Sequence, residues 1–437
     1  MHYNTRTFPL EDITETKQSI RQLATHQEVA TLLDNNEYPH DKYRKYEVIL
    51  GFDPVSTFTG ALHSNVDTLF ENFKSWRSHQ PFCLGYFGYD LKNELEDLSS
   101  QNKILYPAPD IFFFCPGSLI LIKDGRLEIK SIHDPESIYQ KLMAIGSGSK
   151  GTSPRLLRIS SFPDRVQYMK TVDAIRRHIK DGDIYEMNYC RYFEGDIISM
   201  DSSWMLSQLF EDAGAPFSVY MKWADLELFC ASPERFLAKR GSKLISQPIK
   251  GTIKRGRNTK EDLQNQNTLY NSEKDRAEHV MIVDLVRNDL SRSCQPGTVI
   301  VEELYGIYPF NAVTQMISTI TGELAEGADP VDALANCFPM GSMTGAPKIR
   351  AMQLIDQYED FKRSVFSSAV GYWDDEGDFD FNVVIRSMMV DLSQNKLFIP
   401  VGGAIVYDSK AEAEYEESLL KAEGLLRILN INKSIHQ

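Results

Sequence analysis

An α+β fold built on mostly antiparallel sheet is what the sequence predicts, on three observations. Three β-prone runs, residues 365–373, 380–391 and 396–407, follow one another with only the short turns 374–377 and 393–395 between them. Sequential strands joined so tightly run antiparallel. Helical periodicity alternates with further strand-like runs before and after them, and the 437 residues are enough for two to three domain-sized units or one large two-lobed unit.

The elements follow in chain order. Apolar runs at 111–115 and 118–122 read as strands closed by the Lys123-Asp124-Gly125 turn. Residues 146–154 are small and flexible in composition and read as a linker. It separates an N-terminal region, 1–145, from a C-terminal region, 155–437, that carries every sharp motif. Val166, Met169, Val172, Ile175 and Ile179 recur at helical spacing and predict a helix over 166–180, stopped by Gly182. Strands are expected at 227–236 and 243–249, and one long, largely buried helix at 267–290. The glycine-rich stretch 339–348 leads into a helix with Ile349, Met352 and Ile355 on one face, with Thr344 as cap and Pro347 in its first turn. The chain closes on an amphipathic helix over 411–429, with Tyr415, Leu419, Ala422, Leu426 and Leu429 aligned.

Composition excludes several classes. Apolar residues are 42% and charged residues 25% of the chain, and the net charge is −14. That balance argues against a nucleic-acid backbone as partner, which needs clustered Lys and Arg. No apolar run reaches about 18 residues, so no membrane span is expected, and the first residues lack the pattern of a secretory signal. The six cysteines are scattered without a CxxC pair and read as free thiols in a reducing cytoplasm. The nine histidines show no HExxH spacing.

Four features carry chemistry. Asp275 and Glu278 stand at i, i+3 on one predicted helix, and Glu414 and Glu417 do the same on the last, with Lys421 a turn further. Two such pairs facing each other suit Mg²⁺, which prefers oxygen ligands and keeps some waters; on spacing alone, acidic pairs on helices are usually a solvated surface. Lys250 is framed by Pro248 and Gly251 at the end of a predicted strand. A lysine of restricted hydration there can have a lowered pKa and act as nucleophile or base, although a strand-end lysine can also simply face water. The turn at 339–348 offers free N–H groups to an anion without being a P-loop. Finally, Arg386 sits in an apolar strand, where it must be paired or face a ligand such as a carboxylate, and Gly402-Gly403 interrupts the next strand, a mark of close backbone approach.

Taken together these segments resemble the chorismate-binding family, which includes anthranilate synthase component I, aminodeoxychorismate synthase component I and the isochorismate and salicylate synthases. The matching stretches are Ser232-Pro233-Glu234-Arg235-Phe236, Pro248 to Thr252, Glu278-His279 through Asp284 to Leu290, Gly341 to Lys348, Ala369 to Trp373, Ile385-Arg386, and Gly402 to Val406 leading to Glu414–Ser418. They run in the family's order over about 165–429. The N-terminal region resembles it more weakly, through Gly85 to Tyr89 and Asn93 to Glu96. The resemblance implies a two-lobed fold like that of anthranilate synthase component I, with large sheets flanked by helices. It implies chorismate as substrate, Glu278 and Glu417 as Mg²⁺ ligands supported by Asp275 and Glu414, and Thr252, Tyr372, Arg386, Gly402, Gly403 and Lys421 around the substrate carboxylates.

Within the family, lysine at the centre of the Pro-Ile-x-Gly-Thr motif marks the branch that aminates C4 of chorismate. The resemblance therefore implies Lys250 as a covalent nucleophile that attacks C2 and expels the C4 hydroxyl, after which ammonia yields 4-amino-4-deoxychorismate on the way to para-aminobenzoate and folate. The isochorismate and salicylate synthases carry a water-activating lysine near Glu186, so water is not the expected nucleophile. The aminating members usually have glutamine there, and Glu186 departs from that pattern. Gln315 stands where many relatives have histidine, which fits a product that keeps its enolpyruvyl group. No GxCxG nucleophile elbow is present, so a separate glutamine amidotransferase subunit is the expected source of ammonia. The competing readings are anthranilate synthase component I and a catalytically silent subunit of the same fold.

Overall fold

A computed structural model describes residues 2–60, 66–145 and 151–431. Among the described residues, twenty strands join in one hydrogen-bonded network, and every pairing in it is antiparallel; a small parallel pair, Lys103–Ile104 with Phe361–Lys362, stands apart. Strands from both sides of the linker region share this network. Val29–Asp34 pairs with Phe217–Trp223, and Cys83–Phe87 with Ala369–Trp373. Residues 146–150 of the linker lie outside the described residues; 151–154 are irregular, with Pro154 buried. The largest apolar core gathers aromatic rings from these shared strands. Trp373, Phe113 and Phe381 contact one another at centroid distances of 4.8–6.2 Å, the offset and edge geometries aromatic pairs prefer.

The two apolar runs at 111–122 form one strand, Ile111–Lys123, because Pro116-Gly117 does not break the pairing with Val48–Gly60 beyond a local register shift. Its hairpin to Arg126–Ser131 turns at Asp124 and Gly125, both at positive φ, as a tight two-residue turn requires. The first predicted helix is present as Arg165–Lys180, and Gly182 beyond it has φ +84°.

Four expected elements are divided, each for a local reason. The run 227–236 becomes Leu226–Ser232 and Arg235–Arg240, separated at Pro233-Glu234, since proline has no N–H to give a ladder. The run 243–249 becomes Lys243–Gln247 and Ile249–Lys254, split at Pro248. The single helix expected at 267–290 is two, Thr259–Tyr270 and Glu273–Ser291, because the Ser272 hydroxyl accepts from the Asp275 N–H and starts a new helix. That second helix buries only one face, with His279, Ile282, Val283, Val286, Asp289 and Leu290 inside. The run 380–391 becomes Phe379–Asn382 and Ser387–Asp391, and Arg386 sits between them at φ +53° rather than within a strand. Thr344 is no helix cap: its buried hydroxyl donates to Met340 and Gly341 carbonyls, and Pro347 occupies the cap position before the helix Lys348–Tyr358. The last helix, Ala411–Ile428, is as expected.

Candidate active site

Lys250 is placed by a bulge. In the pairing of Ile249–Lys254 with Val313–Glu323, Ile249 faces Ile317 and Thr252 faces Gln315, so one residue is extra between them. Gly251 takes up that excess at φ +87°, a conformation glycine adopts without steric cost. Such a bulge re-aims a side chain, and here it is Lys250 that is turned inward. Its backbone carbonyl accepts from His279 Nδ1 at 3.2 Å, while His279 Nε2 meets the Ser318 hydroxyl at 2.7 Å. Burial holds the His279 pKa down to about 4, so the imidazole is neutral at pH 7 and serves as a strut.

The Lys250 side chain is 12% exposed and its Nζ lies 2.6 Å from Oε1 of Glu186, which is fully buried. Glu186 begins the long strand Glu186–Ser199 and is opposite Ala346 of the glycine-rich turn. At Gly345 (φ +153°) a Cβ would sit 2.2 Å from the Glu186 carbonyl. The turn therefore backs onto the strand that carries Glu186; the Tyr185 N–H donates to the Ala346 carbonyl at 2.7 Å. Contrary to the expectation from restricted hydration, the Lys250 pKa is raised. Burial lowers it, and the charges of Glu186, Glu278 and Glu234 outweigh that.

Glu234, in the gap between the two divided strands, was named in a motif but given no role. Its carboxyl is buried, and burial lifts its pKa to about 7, against the opposing charge of Lys250. A proline-flanked carboxylate between two apolar strands is the sequence signal for it, because such a charge needs a partner or a task. A cavity lined by Glu234, Pro248, Gly341 and Ser342 lies behind.

The carboxylates from two helices border this centre. Glu278 lies on Glu273–Ser291, 3.7 Å from Lys274, and its buried Oε1 has no hydrogen-bond partner among the described residues. Burial raises its pKa. On the last helix Glu417 pairs with Lys421 at 2.7 Å, and the Lys421 charge lowers the Glu417 pKa; Glu414 is more deeply buried and its pKa is raised for that reason. Gly403 faces this helix. A Cβ there would lie 3.3 Å from Lys421 Nζ and 3.7 Å from oxygens of Glu414 and Glu417. Lys421 also donates to the Gly402 carbonyl at 2.8 Å, and Arg386 donates to the Lys421 carbonyl at 3.0 Å. Gly402 is needed on its other side: a Cβ would fall 2.4 Å from Cys190 Sγ.

The donor set fits a hard divalent cation, being oxygen-only and including Glu278 Oε1, which has no hydrogen-bond partner among the described residues. Among the described residues no three carboxylate, imidazole or thiol groups converge closely enough to hold an ion unaided. Water and substrate oxygens would have to complete its shell, as Mg²⁺ prefers.

Lys250, Glu278, Glu414, Glu417, Lys421, Gly402, Gly403 and Arg386 are thus brought together around one centre. Asp275 lies a turn back, packed against Gly251, and Thr252 is exposed beside Gln315. Tyr372 is not brought to the cluster. It is buried between Phe82 and Tyr46 and lines a separate cavity with Arg235 and Asp380.

The chorismate binding enzyme family matches residues 16–427 of the chain. A probable chloroplastic aminodeoxychorismate synthase of Oryza sativa subsp. japonica is 34% identical over 393 residues, covering 79% of this chain and 43% of its own length. Aminodeoxychorismate synthase component 1 of Klebsiella aerogenes is 34% identical over 356 residues, 80% of this chain and 78% of that one. The chain thus spans less than half of the rice relative's length. Among solved structures, anthranilate synthase component I from Streptococcus pneumoniae TIGR4 superposes with a TM-score of 0.75 at 24% identity, over 88% of this chain and 92% of that one; this likeness carries the fold, which is the α+β class with large antiparallel sheet that was expected.

Proposed function

The chain belongs to the chorismate binding enzyme family, and from that premise we propose that it converts chorismate and ammonia to 4-amino-4-deoxychorismate as an aminodeoxychorismate synthase component 1. The observation that carries this reading is Lys250, an inward-turned lysine held among three carboxyl groups, Glu186, Glu234 and Glu278. A lysine in that setting is a nucleophile with proton acceptors and donors on hand.

Lys250 passes a proton to Glu186 and its amine attacks C2 of chorismate. The two conjugated ring double bonds both shift, from C1=C2 and C5=C6 to C1=C6 and C4=C5, and the C4–O bond breaks. Glu234, protonated near neutral pH, supplies the proton that turns the departing hydroxide into water. Ammonia then attacks C4, both double bonds shift back, and the lysine amine leaves C2. Splitting one hard displacement into two easier ones is the gain from covalent catalysis. Arg386 and Lys421 offer positive charge to the two substrate carboxylates. Glu278 and Glu417, with Glu414 and Asp275 in support, are the residues to hold Mg²⁺. A bound Mg²⁺ would neutralise a substrate carboxylate and polarise it while the hydroxyl leaves.

Ammonia comes from glutamine by way of a separate amidotransferase subunit in this proposal. The rice relative's greater length supports it, leaving room for a second activity in that chain. Among the described residues no helix is long and apolar enough to cross a membrane. All six cysteines are buried as thiols, which suits a reducing, cytoplasmic setting.

The test is incubation of the purified chain with chorismate, Mg²⁺ and ammonium salt, with the product identified by mass and absorbance. Aminodeoxychorismate supports the proposal. Anthranilate assigns the chain to the sister activity, and absence of any product favours a silent subunit. Turnover of glutamine by the lone chain contradicts the need for a partner.

A further inference from the structure

The long strand Glu186–Ser199 carries an arginine that the reaction above does not use. Arg191 is fully buried, and none of its three side-chain nitrogens has a hydrogen-bond partner among the described residues. A buried guanidinium without an acceptor is costly. Its surroundings are aromatic. Arg191 Cζ lies 4.5 Å from the centroid of the Tyr415 ring, 5.2 Å from Phe193 and 5.6 Å from Tyr168. All three fall in the range where a ring face attracts a cation, and the attraction is strongest where water is excluded. Two of the rings belong to helices. Tyr168 is on Arg165–Lys180 and Tyr415 on Ala411–Ile428, and they meet edge to face at 5.6 Å. Tyr168 Oη also donates to the Glu414 carbonyl at 3.5 Å. Tyr415 directly follows Glu414 and stands two residues before Glu417, so holding its ring fixes how the last helix is turned about its own axis. A turn by one residue is about 100°, enough to carry both carboxylates away from Gly403, which they now face.

We propose that Arg191 is a positioning residue for the last helix, holding Tyr415, and with it Glu414 and Glu417, through ring faces instead of an ion pair. The inference rests on the reading of those carboxylates as part of the Mg²⁺ site. A cation does here what an apolar side chain does not. Apolar packing is non-directional and tolerates a ring that slides, whereas a desolvated guanidinium loses its compensation once a ring face leaves it. A carboxylate partner would satisfy the guanidinium without constraining the rings. It would also bring another negative charge towards Glu414 and Glu417, which like charges disfavour. The strand that presents Arg191 is itself tied to the site, since Arg191 is opposite Val401, the residue before Gly402. Strand, rings and helix thus form one connected support for the carboxylates, and support of this kind is what tunes a metal site from outside its ligands.

The experiment measures Mg²⁺ affinity by calorimetric titration, with chorismate present, for the wild-type chain and for Arg191→Met, Arg191→Lys, Tyr415→Leu and Tyr415→Phe; thermal unfolding of each is recorded without Mg²⁺. Arg191→Met should weaken Mg²⁺ binding about tenfold or more, the scale on which residues behind the ligands act. Its unfolding midpoint should stay near that of the wild type, because the substitution removes an unpaired buried charge. Arg191→Lys keeps a cation over the rings and should recover part of the affinity. Tyr415→Leu should match Arg191→Met, Tyr415→Phe should match the wild type because the ring face remains, and Arg191→Met combined with Tyr415→Leu should be little worse than either alone. The Tyr415 pair tests the proposal even if Arg191→Met does not fold. Wild-type affinity in Arg191→Met or in Tyr415→Leu overturns the positioning role alone. So does an affinity lost equally in Arg191→Lys and Arg191→Met, or in Tyr415→Phe and Tyr415→Leu, since the cation and the ring face would then not be what matters. No Mg²⁺ binding by the wild type removes the metal reading of these carboxylates and this inference with it.

Discussion

Replacing Lys250 by methionine separates what that residue does for the fold from what it does for the reaction. The Lys250–Glu186 pair is 2.6 Å apart with 12% and 0% of the two side chains exposed. At that distance and an effective dielectric near 20, the gross attraction is ~6 kcal/mol. Desolvation of both ions offsets most of it, and what remains measurable is the penalty for stranding one of them, roughly 3–5 kcal/mol. Lys250→Met strands Glu186, whose Oε2 already lacks a partner among the described residues. The single variant should therefore lose about that much stability, while Lys250→Met combined with Glu186→Gln should recover at least half of the loss, since neither buried charge remains. Neither variant should make aminodeoxychorismate. Urea denaturation with a shared slope gives the stabilities, and the ammonium-supported reaction gives the activity. The reasoning is refuted if the single variant costs less than about 1 kcal/mol, or if the double variant is no more stable than the single. Product from Lys250→Met removes the covalent lysine from the mechanism whatever the stabilities show.

Further outcomes are expected. Glu234 donates only while protonated, and burial holds its pKa at about 7, so kcat/KM should fall as pH rises through 7. Glu234→Gln should abolish that limb and cost about 10²–10⁴-fold in rate, and a pH–rate profile unchanged by the substitution would contradict the assignment. The same shift, from 4.5 to about 7, acts on stability. The raised carboxyl favours folding fully below the unfolded pKa and loses that contribution as pH rises through 7, by roughly 3 kcal/mol at most. Denaturation at pH 5 and pH 9 should show Glu234→Gln losing less stability than wild type over that range. Glu278→Gln should raise the Mg²⁺ concentration for half-maximal activity about tenfold or more, with a parallel loss of Mg²⁺ affinity in a calorimetric titration; an unchanged affinity places the ion elsewhere. Gly345→Ala drives a Cβ to 2.2 Å of the Glu186 carbonyl at a φ of +153°. It should lower the denaturation midpoint and shift the strand that carries Glu186, a result that unchanged thermal unfolding would rule out.

Much of the fold was legible because it follows local rules. The Asp124-Gly125 turn, the helix 165–180 stopping before Gly182, and the amphipathic last helix each depend on residues within a turn of one another. The divided elements were misread where a single side chain competes with periodicity: Ser272 as a cap, and Pro233 and Pro248 as missing donors. For the site, the paired carboxylates, Lys250, the Gly402-Gly403 pair and Lys421 were identified by spacing together with resemblance; Glu278 and Glu417 both interact by charge with Lys250, and Gly403 faces Lys421, Glu414 and Glu417, while Asp275 lies a turn back. Tyr372 was carried over with them and lies in a different cavity, since a residue's place in a motif does not say which face of a strand it occupies.

By itself the sequence determined the antiparallel α+β class, the identity of the nucleophile candidate and the carboxylate pairs, because these are properties of short windows and of ordered motifs. Only the tertiary structure decided that Glu186, Glu234 and Glu278, which come from three separate segments, act on one lysine, that burial lifts Glu234 to about 7, and that a net raised Lys250 pKa replaces the lowered one expected. The reason is physical. A side chain's charge state depends on which distant groups share its low-dielectric surroundings, and that is settled by strand register and by a one-residue bulge at Lys250-Gly251, which no local pattern records.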